Sequence, residues 1–534
     1  MKRRIARGTV VLVGILALAA CGTVRGTDEP ETKDPANSYE PGMHVQEPPS
    51  DPVDGGTLTI AEVSEPRSLD PVQLIPTGLT GGTVFTAVYD QLLRWNEVEQ
   101  KFEPRLAESV EPNDDFTEWT IKLRPDAKFS DGSPVNADAV LGSFTYYFEN
   151  KGYDLGVLGP IWGGAKKVDE HTVLVTLKKP WATFNMSLGK GLGFIVAPAA
   201  IAGGKDNFKP IGAGPFVVES YKPQEEMVLK ANPEYWDGKP HLDKVRFVWL
   251  GANQTSFEAL QSGSVQLAML RDFKVIEQAR EADVSGWMEV ENQGNIIVLN
   301  TADGKPAEDV RVRKAIAHAI DAEALHDRVY DGLGIPSKHF FGPTSPWYQE
   351  SAEAPAHDPD EARKLLEEAK QDGFDGQLTI TANSAPIMRE QVLMLTSQLE
   401  AVGFEVKSDH LRTVVELTVK VFVEKNYEAS STSAFLTNTD PYWRMHMLLY
   451  STSPGNASNF KDPETDALLD ELRGKQGDDR RETINKLENR LLDQLPVVPL
   501  GGDISFAAWN KNVFGVGVSN DIMLTLDKAW IAPK

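Results

Sequence analysis

Cysteine is almost missing from this chain: Cys21 is the single one in 534 residues. A lone thiol excludes an intrachain disulfide and an all-cysteine metal site, so the folded body must hold together by burial alone. Positive charge is also scarce, with 54 Lys and Arg against 78 Asp and Glu and a formal net charge of −24. That field repels polyanions and argues against nucleic-acid binding through a general basic surface. Beyond the N-terminal region no apolar run is long enough to span a bilayer as a helix. The signatures of common catalytic chemistry are missing too. There is no His-Glu-x-x-His, no Gly-x-Ser-x-Gly, no Walker-type phosphate loop and no usable Cys–His pair. The expectation is a protein that is not an enzyme and needs no cofactor.

Metal binding is not expected either. His318 and His326 lie on one helical stretch but about 12 Å apart along its axis, too far to share an ion. Met445-His446-Met447 places soft ligands side by side, and adjacent residues do not face one point. Gly212-Ala213-Gly214-Pro215 lacks the third glycine of a nucleotide loop and reads as a tight turn into the strand Phe216-Val217-Val218. Asp114-Asp115 reads as a pair of solvated turn residues.

What is present begins at the N-terminus. Met1-Lys2-Arg3-Arg4 is basic, and Val10 to Ala20 is an apolar run of about eleven residues, suited to a signal-peptide core and too short for a stable span. Leu18-Ala19-Ala20-Cys21 resembles the bacterial lipoprotein box, which implies a signal peptide over residues 1–20 and a lipidated Cys21 as mature N-terminus. Two acyl chains suffice for stable anchoring where one is marginal. Residues 21–54 are rich in Pro, Glu, Asp, Ser and Thr, with few large apolar residues, and read as a disordered tether.

Folded sequence is expected from Gly55-Gly56 onward. Thr57 to Ala61 reads as a strand, and the alternations Trp119/Ile121/Leu123, Val173/Val175/Leu177 and Val245/Phe247/Trp249 read as further strands. From Asp309 to Asp331 the period becomes helical, with Asp309 as N-cap and Gly332 past the end. A helix capped by Asp358 runs to Gly373, followed by a strand over Leu378 to Ala382, a helix over Arg389 to Val402 and a strand over Phe404 to Val406. That order implies a parallel pair joined by a right-handed crossover. The class is α/β or mixed α+β, and the length calls for two or three lobes.

Several segments then fall in the order of one family. They are "EPRSLDPV" (Glu65 to Val72), "YDQLLRW" (Tyr89 to Trp95) and "PRLAESVEPNDDFTEWTIKLRPDAKFSDGSPVNADAV" (Pro104 to Val140). "GAGPF" (Gly212 to Phe216), "NPEYW" (Asn232 to Trp236) and "VRVRKAIAHAIDAEAL" (Val310 to Leu325) follow. Together they make the chain resemble the family-5 extracellular solute-binding proteins, the dipeptide- and oligopeptide-binding components of ABC importers. The resemblance implies an α/β, two-lobed, periplasmic-binding-protein-like clamp (type II, cluster C) with an extra inserted domain. Lobe I would comprise 55–77, 209–300 and 497–534, the inserted domain 78–208, and lobe II 301–496, with crossings near 300 and 497 as the hinge. It also implies a monomer, lipid-anchored outside the cell membrane, that passes a peptide-like solute to permease subunits. An oligosaccharide, a nickel complex, another small solute or a sensor role stay open as alternatives.

The expected cleft wall is "STSAFLTNTDPYWRMHML" (Ser431 to Leu448), polar and aromatic together. In the family's peptide binders an aspartate shortly before an Asp/Glu-Pro pair captures the ligand's α-ammonium, and Thr437 stands at that position here. Either Asp440 substitutes, or the ligand lacks a free ammonium. Asn438 belongs to the same wall. Phe435, Tyr442 and Trp443 offer flat apolar surfaces and Arg444 a bidentate partner for a carboxylate. Trp162 and Trp347, beside Tyr348, are expected on the other lobe or the rim.

Overall fold

The computed structural model describes residues 39–533. Cys21, the signal peptide and the first part of the tether lie outside the described residues. The tether's expected end at residue 54 is corrected. Gly42–His44 forms a strand paired antiparallel with residues 286–288, and Tyr39 is buried against Phe273. A tyrosine and a methionine in an otherwise polar stretch supply the burial that fixes it.

Among the described residues the dominant feature is a 12-stranded mixed sheet. Its main path runs Glu405–Leu411, Gln377–Asn383, Ala429–Thr432, Ser285–Leu299, Val497–Trp509, Leu267–Leu270, Thr57–Glu62, Lys244–Trp249, Glu226–Ala231, Phe216–Lys222. In Thr57–Glu62 every residue after Thr57 is buried, as expected of a central strand covered on both faces. A separate antiparallel sheet has the order Ala107–Pro112, Glu118–Leu123, Thr172–Leu177, Trp162–Asp169. There the alternation is clean: Trp119, Ile121 and Leu123 point into the core, as do Val173, Val175 and Leu177.

Gln377–Asn383 and Glu405–Leu411 pair in parallel around the helix Pro386–Ala401, as the strand–helix–strand order requires. The helix starts at Pro386 rather than Arg389, because proline's fixed φ suits the first turn. The single helical stretch expected from Asp309 is two helices, Val310–Ala319 and Ala322–Tyr330. Ile320 is extended between them, and the Asp321 carboxylate accepts from the Ala324 amide as a second N-cap. A short acidic side chain competes well for backbone donors and so restarts a helix rather than continuing one.

Two long strands, Ser285–Leu299 and Val497–Trp509, pair antiparallel and join the two halves of the sheet. Their register breaks between Glu291 and Ile296, where Gln293 has φ 58°. A Cβ on Gly294 would lie 2.1 Å from the Cβ of Asp503, so only glycine permits this approach. The two strands stay paired on both sides of the break, while the other neighbour of Ser285–Leu299 is Gly42–His44 at its start and Ala429–Thr432 at its end. The division of cores departs from expectation. Helices Val310–Ala319, Pro359–Gln371 and Pro386–Ala401 share one core with Ile297 and Leu299. Helices Tyr442–Leu449, Pro463–Arg473 and Gly477–Gln494 instead contribute Tyr442, Leu469 and Leu487 to the core that contains Trp119 and Phe184 of the inserted segment. A buried ion network ties that segment to the C-terminal residues: Arg94 Nη1 lies 3.1 Å from both oxygens of Asp527. Burial works against the Asp527 charge, but Arg94 and Arg105 outweigh it and hold the carboxyl down at about 2.

Candidate functional site

The wall around residues 431–448 follows the strand Ala429–Thr432 and ends in the helix Tyr442–Leu449, whose N-cap is Pro441. Asp440, 5% exposed, accepts from the Tyr442 amide at 3.0 Å and from the Arg480 guanidinium through one oxygen. Its other oxygen accepts from the Thr183 hydroxyl at 2.6 Å, across to the inserted segment. Thr437 donates to the Asp440 carbonyl at 2.8 Å and closes the turn on itself. Asp440 and Thr437 thus spend their polar groups on the protein.

Asn438 and Trp347 are brought together: the indole Nε1 donates to the Asn438 carbonyl at 2.7 Å. The Asn438 side-chain oxygen accepts from Asn292 at 2.8 Å and from Ser345 at 2.9 Å, which pins the wall to the register break. Phe435 lies under the Arg271 guanidinium, 5.2 Å from its ring centre. Tyr442 is 1% exposed and packs edge-on against Trp181, so it is a core residue. Trp162 is not at this site. Phe144, Phe148 and Phe184 surround it beside the inserted sheet, where apolar burial claimed the indole.

Trp443 and Arg444 line a partly open cavity of about 30 Å³. Opposite them stand Tyr153, Asp154, Lys190 and Asp521. The Trp443 and Tyr153 ring centres are 5.0 Å apart. Arg444 Nη2 lies 3.7 Å from Asp521 Oδ1, and Lys190 donates to Asp521 Oδ2 at 2.7 Å. Burial works against the Asp521 charge, yet the two cations outweigh it and keep the carboxyl below its ordinary value. Burial likewise opposes the Arg444 charge, but Tyr153, Asp521 and Glu291 hold its pKa up.

Not every polar group here is spent. Asp154 is 6% exposed, and its Oδ1 has no hydrogen-bond partner among the described residues. Burial pushes its carboxyl up to about 6. Arg444 Nε and Trp443 Nε1 also have no partner among the described residues. Glu289 and Glu291 occupy alternate positions of one long strand; neither Oε2 has a hydrogen-bond partner among the described residues, while Glu291 Oε1 accepts from the Ser505 hydroxyl at 3.0 Å. Burial, then the charges of Glu97, Glu291 and Asp521, push Glu289 well above the usual carboxylate range. Burial pushes Glu291 to about 7 despite Arg271 nearby. Asp154, Lys190, Glu289 and Asp521 were not singled out from sequence. The one available signal was Glu289-Val290-Glu291, two acids at strand spacing inside a largely apolar run.

Among the described residues no group of three or more His, Cys, Asp or Glu side chains is placed to hold a metal ion. Among them, too, no helix is long and apolar enough to cross a membrane.

Residues 101–456 match the bacterial extracellular solute-binding proteins, family 5 Middle, and the chain belongs to that family. It is 26% identical to heme-binding protein A of Haemophilus influenzae, over 83% of this chain and 88% of that protein. It is 27% identical to di/tripeptide-binding protein 2 of Pseudomonas aeruginosa, over 87% of this chain and 92% of the relative. Among solved structures, the ABC transporter-associated periplasmic binding protein DppA from Helicobacter pylori, in complex with peptide STSA, superposes with a TM-score of 0.76. That match has 23% identity and covers 90% of this chain and 99% of the other. The fold is accordingly the two-lobed, type II periplasmic-binding-protein clamp.

Proposed function

We propose that this chain is a lipid-anchored receptor of an ABC importer. It captures a peptide-like, zwitterionic solute between its lobes and delivers it to membrane permease subunits. One observation carries the ligand class: a free acceptor, Asp154 Oδ1, and a free donor, Arg444 Nε, stand on opposite walls of the same cavity. A peptide presents an ammonium for the first and a carboxylate for the second. Each group left unpaired in a closed cleft costs about 1–3 kcal/mol, so a ligand that satisfies both favours closure. Trp443 and Tyr153 supply flat apolar surface beside them.

The cavity as it stands has room for about one water, so the walls must part to admit a solute. The register break at residues 291–296 is the place we assign to that motion, with closure a population shift driven by contacts made only when ligand is bound. Relatives named for di- and tripeptide binding, and the peptide complex of the Helicobacter protein, support this ligand class. The anchor rests on Leu18-Ala19-Ala20-Cys21 and the extracytoplasmic site on the family. Calorimetric titration with a di- to pentapeptide library is expected to show saturable binding. Silence across the library would overturn the peptide reading.

A further inference from the structure

We propose that Tyr147 is the positioning residue of the ammonium subsite: its phenol, locked in place by two glycines, holds the Asp154 carboxylate toward the cavity with one oxygen free for the solute. This deepens the peptide reading above and rests on it.

Asp154 stands where an aspartate ordinarily caps a helix, and it does not cap. It precedes the short helix Leu155–Leu158, yet its side chain accepts from no amide of that helix. Asp272, Asp309, Asp321, Asp358 and Asp462 occupy the same position of other helices, and each accepts from a backbone amide there. A carboxylate at that position normally gains by taking those amides, so this one is held by something else. The neighbour in reach is Tyr147, on the helix Ala137–Glu149 and 4% exposed. Its hydroxyl accepts from the Asp154 amide at 3.4 Å. The phenol acts on the carboxyl too: burial raises that group, and the Tyr147 hydroxyl is the largest influence opposing the rise. Oδ1 is still left without a partner on the cavity wall among the described residues.

The phenol has no room to turn aside. A Cβ on Gly152 would collide with the Tyr147 ring, and one on Gly191 would lie 2.5 Å from its hydroxyl. Neither glycine has a positive φ, so the space they leave, not their backbone conformation, is what the ring requires. Gly191 follows Lys190, which lines the same cavity, so one turn sets both the phenol and the cation. The titratable and charged groups around Asp154 are Tyr147, Tyr153, Lys190, Asp440, Arg444 and Asp521. Asp440 is matched by Arg480, and Asp521 by Lys190 and Arg444. Asp154 is therefore the acid for which a proton and a solute's ammonium compete.

The test is titration of the full mature chain with Ala-Ala-Ala and N-acetyl-Ala-Ala-Ala across about pH 5 to 8. At pH 7.5 the parent is expected to bind the free peptide about tenfold tighter than the acetylated one, and to lose that advantage on acidification as a proton takes the oxygen. Tyr147→Phe keeps the ring and deletes the hydroxyl, while the Cβ of Gly191→Ala displaces it. Each is expected to shrink the ratio to about threefold or less, with the acetylated peptide unchanged. Each should also move the acid loss to higher pH, because the phenol that holds the carboxyl down is gone. The variants reach the hydroxyl by different routes, so either one that folds decides. The parent's ratio and pH profile retained in a variant, or an equal loss for both peptides, overturns the inference and leaves the peptide reading standing. Equal binding of the two peptides by the parent overturns the ammonium subsite and the inference with it. Binding of neither peptide overturns the peptide reading as well.

Discussion

Two aspartates line the same cavity from opposite walls, and both are nearly fully buried, Asp440 at 5% and Asp154 at 6% exposure. Asp440 has a guanidinium, a hydroxyl and a backbone amide on its two oxygens. Asp154 has the Tyr147 hydroxyl near it and one oxygen left over. Position and charge are alike; the accounting of hydrogen bonds is not. A carboxylate with every direction filled holds the walls in place, while one with a direction free is available to a solute. Glu62 sharpens the contrast, since it is 2% exposed and both of its oxygens lack hydrogen-bond partners among the described residues. It does not line the cavity, so its burial serves as an internal control.

The largest expected effect comes from the paired member. Asp440→Ala leaves the Arg480 side chain, 7% exposed, as a buried charge without its partner, which costs about 3–5 kcal/mol. Urea unfolding is expected to show that loss, and Asp440→Asn a smaller one. An Asp440→Ala protein as stable as the parent would show that Arg480 reaches water and that the pairing is incidental.

Glu62→Gln acts in the opposite direction. Burial pushes the Glu62 carboxyl to about 8, against an ordinary value of 4.5. Below about pH 4.5 it is protonated in both folded and unfolded chains and costs nothing. As pH rises the unfolded chain ionises first, so stability falls between about pH 4.5 and 8 and then levels off. At pH 7 the difference amounts to about 3 kcal/mol. Glu62→Gln is expected to flatten this slope, measured as the unfolding midpoint against pH. An unchanged slope would mean that the carboxyl is hydrated.

These contrasts also show why some of the molecule is legible in sequence and some is not. Alternation found the strands at residues 119–123 and 173–177, and capping residues found the helix from Pro359, because both signals are local. The wall at 431–448 was locatable as a stretch where aromatic and polar residues mix. Which of its side chains face a ligand was not, since that depends on Thr183, Arg480, Tyr153 and Asp521, all remote in sequence. Trp162 and Trp443 are the same residue type, and only the fold puts one among phenylalanines and the other on a cavity. The register break between the two long strands escaped for a similar reason: Glu291 to Asn295 and Gly501-Gly502-Asp503 are polar or glycine interruptions, and their meaning depends on how the strands pair, as in the approach of Gly294 to Asp503.

The unpaired aspartate is expected to trade stability against binding. Asp154→Asn removes a carboxyl that burial raises from 3.8 to about 6, so at pH 7.5 the ligand-free protein gains about 3 kcal/mol. The same change removes the free anionic acceptor and should weaken a bound peptide by about tenfold. Thermal unfolding without ligand and calorimetry with it report the two halves separately. Loss of both stability and affinity would place Asp154 with Asp440 as a structural residue.

The smallest effect probes the contact between the walls. Thr183 donates its hydroxyl to Asp440 from the inserted segment, and Arg473 adds a 2.9 Å hydrogen bond to the Pro180 carbonyl beside it. Thr183→Val keeps the shape and deletes one hydrogen bond made across the walls, worth about 1 kcal/mol. Asp440 retains Arg480 and the Tyr442 amide, so the fold has little reason to change. If the walls separate to admit a solute here, that contact exists only in the closed form. Its loss then shifts the population toward open and raises the apparent Kd about fivefold, with an equal rise for every peptide tested. If instead this seam never opens, Thr183→Val lowers the unfolding midpoint slightly and leaves every Kd unchanged. The wall around Asp440 would then be a fixed part of the frame, with all of the motion on the side of the long strands.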